Sequence, residues 1–375
     1  MKLVDISIKN CRKIKKATLA LSPSLNLIVG DNGSGKTSIV EAFSILSSGR
    51  SFRTHKIGDV ITQNEKKLLI TSRLKAGDLT SHIGIEKSSQ ETHIRINKQD
   101  VRSQAELSQF LPVTIIHPDS IKLIVGSPSM RRSYLDWVGF YLLPEYHLLW
   151  KHHQRILKQR NASLRLQKVG GDFDYWTKEL IVAQAKLHKK RCSIISLLDD
   201  EVNFFRKMLL AESEISLKLT NGFSATDTLD SLNTLDFYHS KLAQELKMKR
   251  TLYGIHKSDM KIGLDNVPAN ISASRGQLKL IAITLQLAQS NVIKQRDKLS
   301  GLIIVDDMTS ELDEGNQDIL LDTLSSLEQQ IILTAPVLSE ALGRQKAKMF
   351  HVKHGVVLEE SHNTMGGSLS SEFYE

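Results

Sequence analysis

The sequence predicts an α/β fold that opens near the N-terminus, pauses for a compact helical insertion and closes again toward the C-terminus, with an antiparallel sheet at its flank. Three observations predict it. A short apolar strand, Leu25–Val29, runs into a glycine-rich loop and then a helix. A second buried-type strand, Leu302–Val305, stands far down the chain and ends in two carboxylates. Between them, strand-like alternation gives way to helical periodicity.

In chain order, Val4, Ile6 and Ile8 alternate with polar neighbours as a half-buried strand does. The helix leaving the glycine loop carries Ile39, Val40, Phe43 and Leu46 on its apolar side. Residues 68–74 and 81–97 alternate again, split by the turn signal Lys75-Ala76-Gly77-Asp78, so an antiparallel sheet is expected there. Residues 131–160 and 175–210 read as helices, with Gly170-Gly171 breaking them; Leu180, Ala183, Leu187, Ile194, Leu197 and Leu198 carry the second helix's apolar stripe. Residues 214–219 read as one isolated strand and 237–248 as a further helix. From Thr251 the alternation returns as helix 274–293, strand 301–305, helix 317–327 and strand 330–333. The expected division is a head built from residues 1–127 and 250–360, a helical insertion over 128–249, and a loose Ser- and Gly-rich tail over 361–375.

The chain of 375 residues is long enough for two domains, or one with a large insertion, and 41% hydrophobic with 24% charged residues is an ordinary globular mixture. No apolar run approaches the roughly 20 residues of a membrane span, and the alternating start lacks the apolar block of a signal peptide. Cys11 and Cys192 are the only cysteines, which excludes a disulfide scaffold or a thiolate metal cluster and makes a reducing cytoplasm the expectation. A formal charge of +9 permits an anionic partner such as nucleic acid without establishing one.

Gly30-Asp31-Asn32-Gly33-Ser34-Gly35-Lys36-Thr37 matches the phosphate-cradling pattern G-x-x-x-x-G-K-[ST], with Ser38 following. Glycines let the backbone wrap phosphate oxygens with N–H groups, Lys36 is placed to reach the β- and γ-phosphates, and Thr37 to offer its hydroxyl to Mg²⁺. The strand before and the helix after supply the required context, including a helix N-terminus at the anion. Leu302-Ile303-Ile304-Val305-Asp306-Asp307 supplies the second half: Asp306 is expected to hold the metal and Asp307 to orient or deprotonate the attacking water. Ser274-Arg275-Gly276-Gln277 opens a helix, either as an ordinary N-cap or as a second anion site, and Ser310-Glu311-Leu312-Asp313 follows the acids on a loop.

This order of parts resembles the ABC-type ATPases of the SMC (structural maintenance of chromosomes) and RecF group, where the position of Ser274-Arg275-Gly276-Gln277 is the signature motif that completes the opposite subunit's nucleotide site, and Asp313 falls in the D-loop. Two blocks narrow the resemblance to the RecF family of recombination mediators. One runs His117-Pro118-Asp119-Ser120-Ile121-Lys122-Leu123-Ile124-Val125-Gly126-Ser127-Pro128-Ser129-Met130-Arg131-Arg132-Ser133-Tyr134-Leu135-Asp136, the other Thr251-Leu252-Tyr253-Gly254-Ile255-His256-Lys257-Ser258-Asp259. With Arg50-Ser51-Phe52-Arg53-Thr54 and the closing acids, it covers the chain to about Glu360. The resemblance implies an ABC-type P-loop head that binds ATP and Mg²⁺ and dimerises on ATP. It implies DNA as a partner, duplex and single-strand/duplex junctions included, and work with RecO and RecR in loading RecA at gapped DNA. There are departures. The family's common Gly-Pro-His-Arg-Asp-Asp is Gly-Ile-His-Lys-Ser-Asp here, and Lys257 lacks the planar fork of Arg. Transporter ATPases usually carry Glu at Asp307, Gln around His117-Pro118-Asp119 and a switch His at Thr334-Ala335-Pro336. A shorter acid and a missing helper imply slow hydrolysis.

The insertion holds a longest helical tract of roughly 40 residues, about 60 Å, a compact arm rather than a long coiled coil. Arg131, Arg132, Lys151, Arg155, Lys158 and Arg160 crowd its first part, so either one face tracks DNA phosphates or these are solvated helix charges. Tyr134, Trp137, Phe140, Tyr141 and Trp150 fall at helical spacing and read as core; His147, His152 and His153 have no ligand role. Two rival readings remain: the nucleotide subunit of an ABC transporter, disfavoured by the arm, and a soluble P-loop kinase, which needs no anion site at Ser274.

Overall fold

The computed structural model describes residues 1–101, 103–223, 233–297, 301–307 and 312–359. The expected tail, and Ser310 and Glu311 of the loop after the acids, lie outside them. The described residues fall into two compact units, one within 1–111, 304–310 and 328–375, the other within 112–303 and 311–327.

The first unit opens with β1 (Lys2–Cys11), β2 (Ile14–Ala20) and β3 (Leu25–Val29), then α1 (Lys36–Ser48). β4 (Lys67–Ala76), β5 (Leu79–Ser88), β6 (Thr92–Ile96), β7 (Gln99–Val101) and a short α2 (Gln104–Phe110) follow. The expected antiparallel sheet is present in the order β2-β1-β4-β5-β6-β7. Its period-two alternation places Ile8, Ile70, Ile85 and Ile94 opposite one another in four successive strands, and all four are buried. α1 ends at Gly49, whose left-handed φ of 69° closes the helix.

The second unit contains β8 (Val113–Ile116), α3 (Lys122–Val125), α4 (Pro128–Leu142), α5 (Tyr146–Arg165), α6 (Gly171–Leu209), β9 (Ile215–Leu219) and α7 (Leu235–Met248). It continues with β10 (Met260–Leu264), β11 (Val267–Pro268), α8 (Ala269–Ser272), α9 (Arg275–Asp297) and, after the crossing strand, α10 (Glu314–Ser325). α6 is 39 residues long, and Leu180, Ala183, Leu187, Ile194, Leu198 and Val202 form its buried stripe. α5 and α9 both pack along α6. That packing draws residues 250–303 into the same compact unit as the helical stretch, a division the chain-order reading does not contain. Residues 214–219 are not an isolated strand: β9 pairs antiparallel with β10, Leu217 opposite Ile262. The partner lies beyond α7, so no hairpin signal links the two.

β12 (Leu302–Val305) starts in the second unit and ends in the first, where β13 (Gln330–Ala335), the short α11 (Glu340–Gly343), β14 (Lys348–Lys353) and β15 (Val356–Glu359) complete the described residues. β3 lies between β13 and β14 and is parallel to both, Leu27 facing Leu333 on one side and Met349 on the other. All five residues of β3 are buried, as expected of a parallel strand covered on both faces.

Candidate nucleotide site

The loop between β3 and α1 is shaped by its glycines. Gly33 and Gly35 hold φ values of 79° and 126°, which side-chain-bearing residues rarely adopt. Gly30 has no space for a side chain, since a Cβ there would stand 2.1 Å from the carbonyl oxygen of Val352. Ser34 is buried and its Oγ has no hydrogen-bond partner among the described residues. The Lys36 ammonium donates to the carbonyls of Gly30 and Asp31, the latter at 3.1 Å. Burial lowers the Lys36 pKa, and Asp307, Asp306 and Asp31 oppose that shift.

Within the same unit, β12 delivers Asp306 to the loop. Its Oδ1 lies 3.5 Å from the hydroxyl of Thr37 at the start of α1. Thr334 in β13 donates to the same oxygen at 2.7 Å and accepts the Asp307 N–H at 2.9 Å. Burial raises the Asp306 pKa, while hydrogen bonds from Thr334 and Thr37 hold it down. Asp307 adopts φ 59°, turning its backbone out of the strand. Thr37 and Asp306, which are 269 positions apart, thus meet as a pair of hard oxygen donors. Among the described residues no group of three or more His, Cys, Asp or Glu is arranged to hold a metal. The Thr37 hydroxyl and the Asp306 carboxylate are of the kind that suits Mg²⁺, which keeps few protein ligands and completes its shell with water and phosphate oxygens. The close-walled glycine loop and the buried Ser34 hydroxyl fit a phosphate chain. The sequence marks Thr334 only as a position without the switch His; its hydrogen bonds to both acids come from the structure.

Ser274 stands just before α9 and forms a reciprocal capping box with Gln277. The Ser274 hydroxyl accepts the Gln277 N–H at 3.2 Å, and the Gln277 side chain accepts the Ser274 N–H at 2.9 Å. Ser274, Arg275 and Gly276 are exposed. A Cβ on Gly276 would meet nothing within 4 Å among the described residues, so their packing does not account for the glycine. Asp313 caps α10, accepting the Asn316 N–H at 2.9 Å.

The basic residues of the arm divide by burial. Arg160 does not face solvent: it is 0% exposed, paired with Glu245 at 2.6 Å and placed over the rings of Phe173 and Tyr238. Arg131 is likewise committed, to Asp259 and to the carbonyls of Leu123, Ile124 and Gly126. Arg132 is half-buried on the Ser258 carbonyl, and burial lowers its pKa. Arg131 and Arg132 join the family-like block at 117–136 to that at 251–259, and of the six candidates only Lys151, Arg155 and Lys158 are exposed. Tyr134 and Tyr141 are buried, in keeping with the core reading, whereas Trp137, Phe140 and Trp150 are partly exposed.

Fold and site together define an ATPase head of the RecF/RecN/SMC class, and the matching model, described as the RecF/RecN/SMC N terminal domain, spans residues 2–357. "DNA replication and repair protein RecF" of Shewanella halifaxensis is 34% identical over 95% of this chain and 98% of its own length; that of Hydrogenovibrio crunogenus is 32% identical over 96% and 99%. A solved structure of the recombination mediator protein RecF with ATP, in the RecFOR pathway, shares the fold at a TM-score of 0.86 and 23% identity, covering 96% of this chain and 98% of that one. The chain belongs to the RecF family of DNA replication and repair proteins.

Proposed function

We propose that this chain is an ATP-dependent DNA-binding protein of recombinational repair and replication restart, a slow, DNA-stimulated ATPase whose heads close on DNA. The observation that carries the reading is the meeting of Thr37 and Asp306 beside a glycine loop, in a chain of the RecF family. In this reading residues 30–38 bind the phosphates of ATP, and Lys36 leaves its loop carbonyls for the β- and γ-phosphates. Thr37 and Asp306 hold Mg²⁺, which when bound neutralises phosphate charge. Asp307 orients and deprotonates the attacking water, a task that a short side chain performs slowly. Ser274, Arg275 and Gly276 reach the nucleotide of a second copy, so ATP joins two heads, with Asp313 in the loop that follows the acids. Their exposure and the open space at Gly276 support this role. Closure presents Lys151, Arg155 and Lys158 to duplex DNA and junctions, and hydrolysis reopens the pair. Family membership supports work in the cytoplasm with RecO and RecR, loading RecA at gapped DNA. The residue boundaries of head and arm, 1–127, 128–249 and 250–360, belong to the same proposal. A transporter subunit is not favoured, since family membership over nearly the whole chain points elsewhere. The test is the mass of the protein with DNA, measured with and without ATP: an ATP-dependent dimer on DNA is expected, and a monomer under both conditions rejects the clamp.

A further inference from the structure

The phosphate loop is held from outside as well as from within. β14 runs beside β3, with His351 facing Val29, so the two strands reach the loop together. The next carbonyl, that of Val352, occupies the space a Gly30 side chain would need. The chain then turns back into β15 through His354 and Gly355, at φ values of 50° and 83°, as a two-residue hairpin of this hand requires. At the apex the Gly355 N–H donates to the Ser34 carbonyl at 2.8 Å. A Cβ on Gly355 would stand 2.3 Å from the Lys13 carbonyl oxygen, so the turn fits only as glycine. Lys13, in the β1–β2 turn and itself exposed, sends its ammonium to the Gly33 carbonyl at 2.7 Å. Two donors distant in sequence therefore fix two successive carbonyls of the loop.

We propose that Gly355 and Lys13 form a brace that sets the shape of the phosphate loop and thereby its affinity for nucleotide; this rests on reading residues 30–37 as the nucleotide loop. In a trans peptide unit the C=O and N–H point opposite ways. Holding the Ser34 carbonyl toward Gly355 turns the Gly35 N–H to the opposite side of the chain, and Lys13 acts alike on the unit joining Gly33 to Ser34. Both are positioning residues, since what they touch is loop backbone. The brace makes the hairpin at 348–359 part of the nucleotide site through its backbone.

The test measures equilibrium affinity for ATP and ADP in the full chain and in Gly355→Ala, Lys13→Met and Lys36→Ala, with melting temperature and amide exchange at Ser34 and Gly35 followed without nucleotide. Gly355→Ala is expected to weaken ATP and ADP alike by about tenfold, the scale of one lost loop-shaping hydrogen bond. Lys13→Met, at an exposed side chain that does not threaten folding, should weaken both a few-fold. It should also speed exchange at the two amides while leaving the melting temperature unchanged. A turn with only a structural role would lower the melting temperature of Gly355→Ala but leave Lys13→Met with unaltered affinity and exchange, and that result overturns the brace. Should Lys36→Ala alone lose affinity, the brace fails and the loop assignment stands. Should the unaltered chain bind no nucleotide, the loop assignment fails and the brace with it.

Discussion

At Thr334 a single hydroxyl serves both acids, donating to the Asp306 carboxylate and accepting the Asp307 N–H. The second bond helps hold Asp307 in the left-handed region, a conformation that costs a side-chain-bearing residue about 1–2 kcal/mol. Asn is the other residue that visits this region routinely, so Asp307→Asn keeps backbone and size while removing the base. Nucleotide binding should persist and single-turnover hydrolysis should fall by ~10²-fold or more. Retained turnover would leave Asp307 as a structural neighbour of Asp306. Both acids are legible in the sequence because two carboxylates close an apolar strand. Thr334 is not, because a threonine inside Gln330–Ala335 looks like any β-former and its importance comes from the strand beside it.

Among the elements, α5 shows how a pattern can be read for charge and missed for burial. His153, Ile156, Leu157, Arg160 and Leu164 recur at helical spacing, and all five are buried. Arg160 thus belongs to the apolar stripe, a signal present in the sequence but outweighed by its charge. Lys151, Arg155 and Lys158 recur at the same spacing on the exposed side. Replacing these three with Ala should weaken binding to unrelated DNA sequences about equally. The plot of log affinity against log salt should also flatten, by up to ~0.9 for each phosphate no longer neutralised. An unchanged slope assigns them to solvent. The buried stripe makes a second prediction. Burial holds His153 neutral, its pKa lowered to about 3, with His256, Arg191 and His152 adding to the shift. Burial likewise lowers His256 to about 4, aided by Lys257, Arg132 and Arg160 and opposed by its hydrogen bond to the Thr251 carbonyl. Between these values and the ordinary 6.5 the unfolded chain binds more protons, so stability rises with pH and is lost as pH falls below 6.5. At pH 5 each histidine should cost ~2 kcal/mol. Urea midpoints followed by helical signal from pH 7.5 to 5 should fall, and His153→Phe should remove about half of the drop; a pH-independent midpoint contradicts the account. The antiparallel sheet was legible because β4 alternates cleanly. β14 and β15 stand outside the expected elements, although His354-Gly355 between two alternating runs is a hairpin signal.

For the whole molecule, the sequence places the glycine loop and the Ser274 helix start far apart in the chain, and they fall in different compact units. The order of motifs makes the family legible over residues 2–357, whereas the division into units depends on α9 packing along α6, which no local pattern encodes. If Ser274 and Arg275 serve the nucleotide of a second copy, ATP is the glue of a dimer and Arg275 acts as an arginine finger. Arg275→Ala should then leave ATP affinity of the single chain nearly intact while abolishing ATP-driven dimerisation, hydrolysis and tight DNA binding. Lys36→Ala should instead lose ATP at its own loop. Each variant alone is inactive for a different reason, so their mixture separates composite sites from sites built within one chain. In a mixed dimer, one site combines the intact loop of the Arg275→Ala chain with the intact signature of the Lys36→Ala chain, and the other site combines both defects. Hydrolysis should therefore reappear on mixing and follow the fraction of mixed dimers, measured by mass with one chain tagged. A mixture that forms dimers and stays as inactive as its components means that neither signature reaches across, and Arg275 then acts within its own chain.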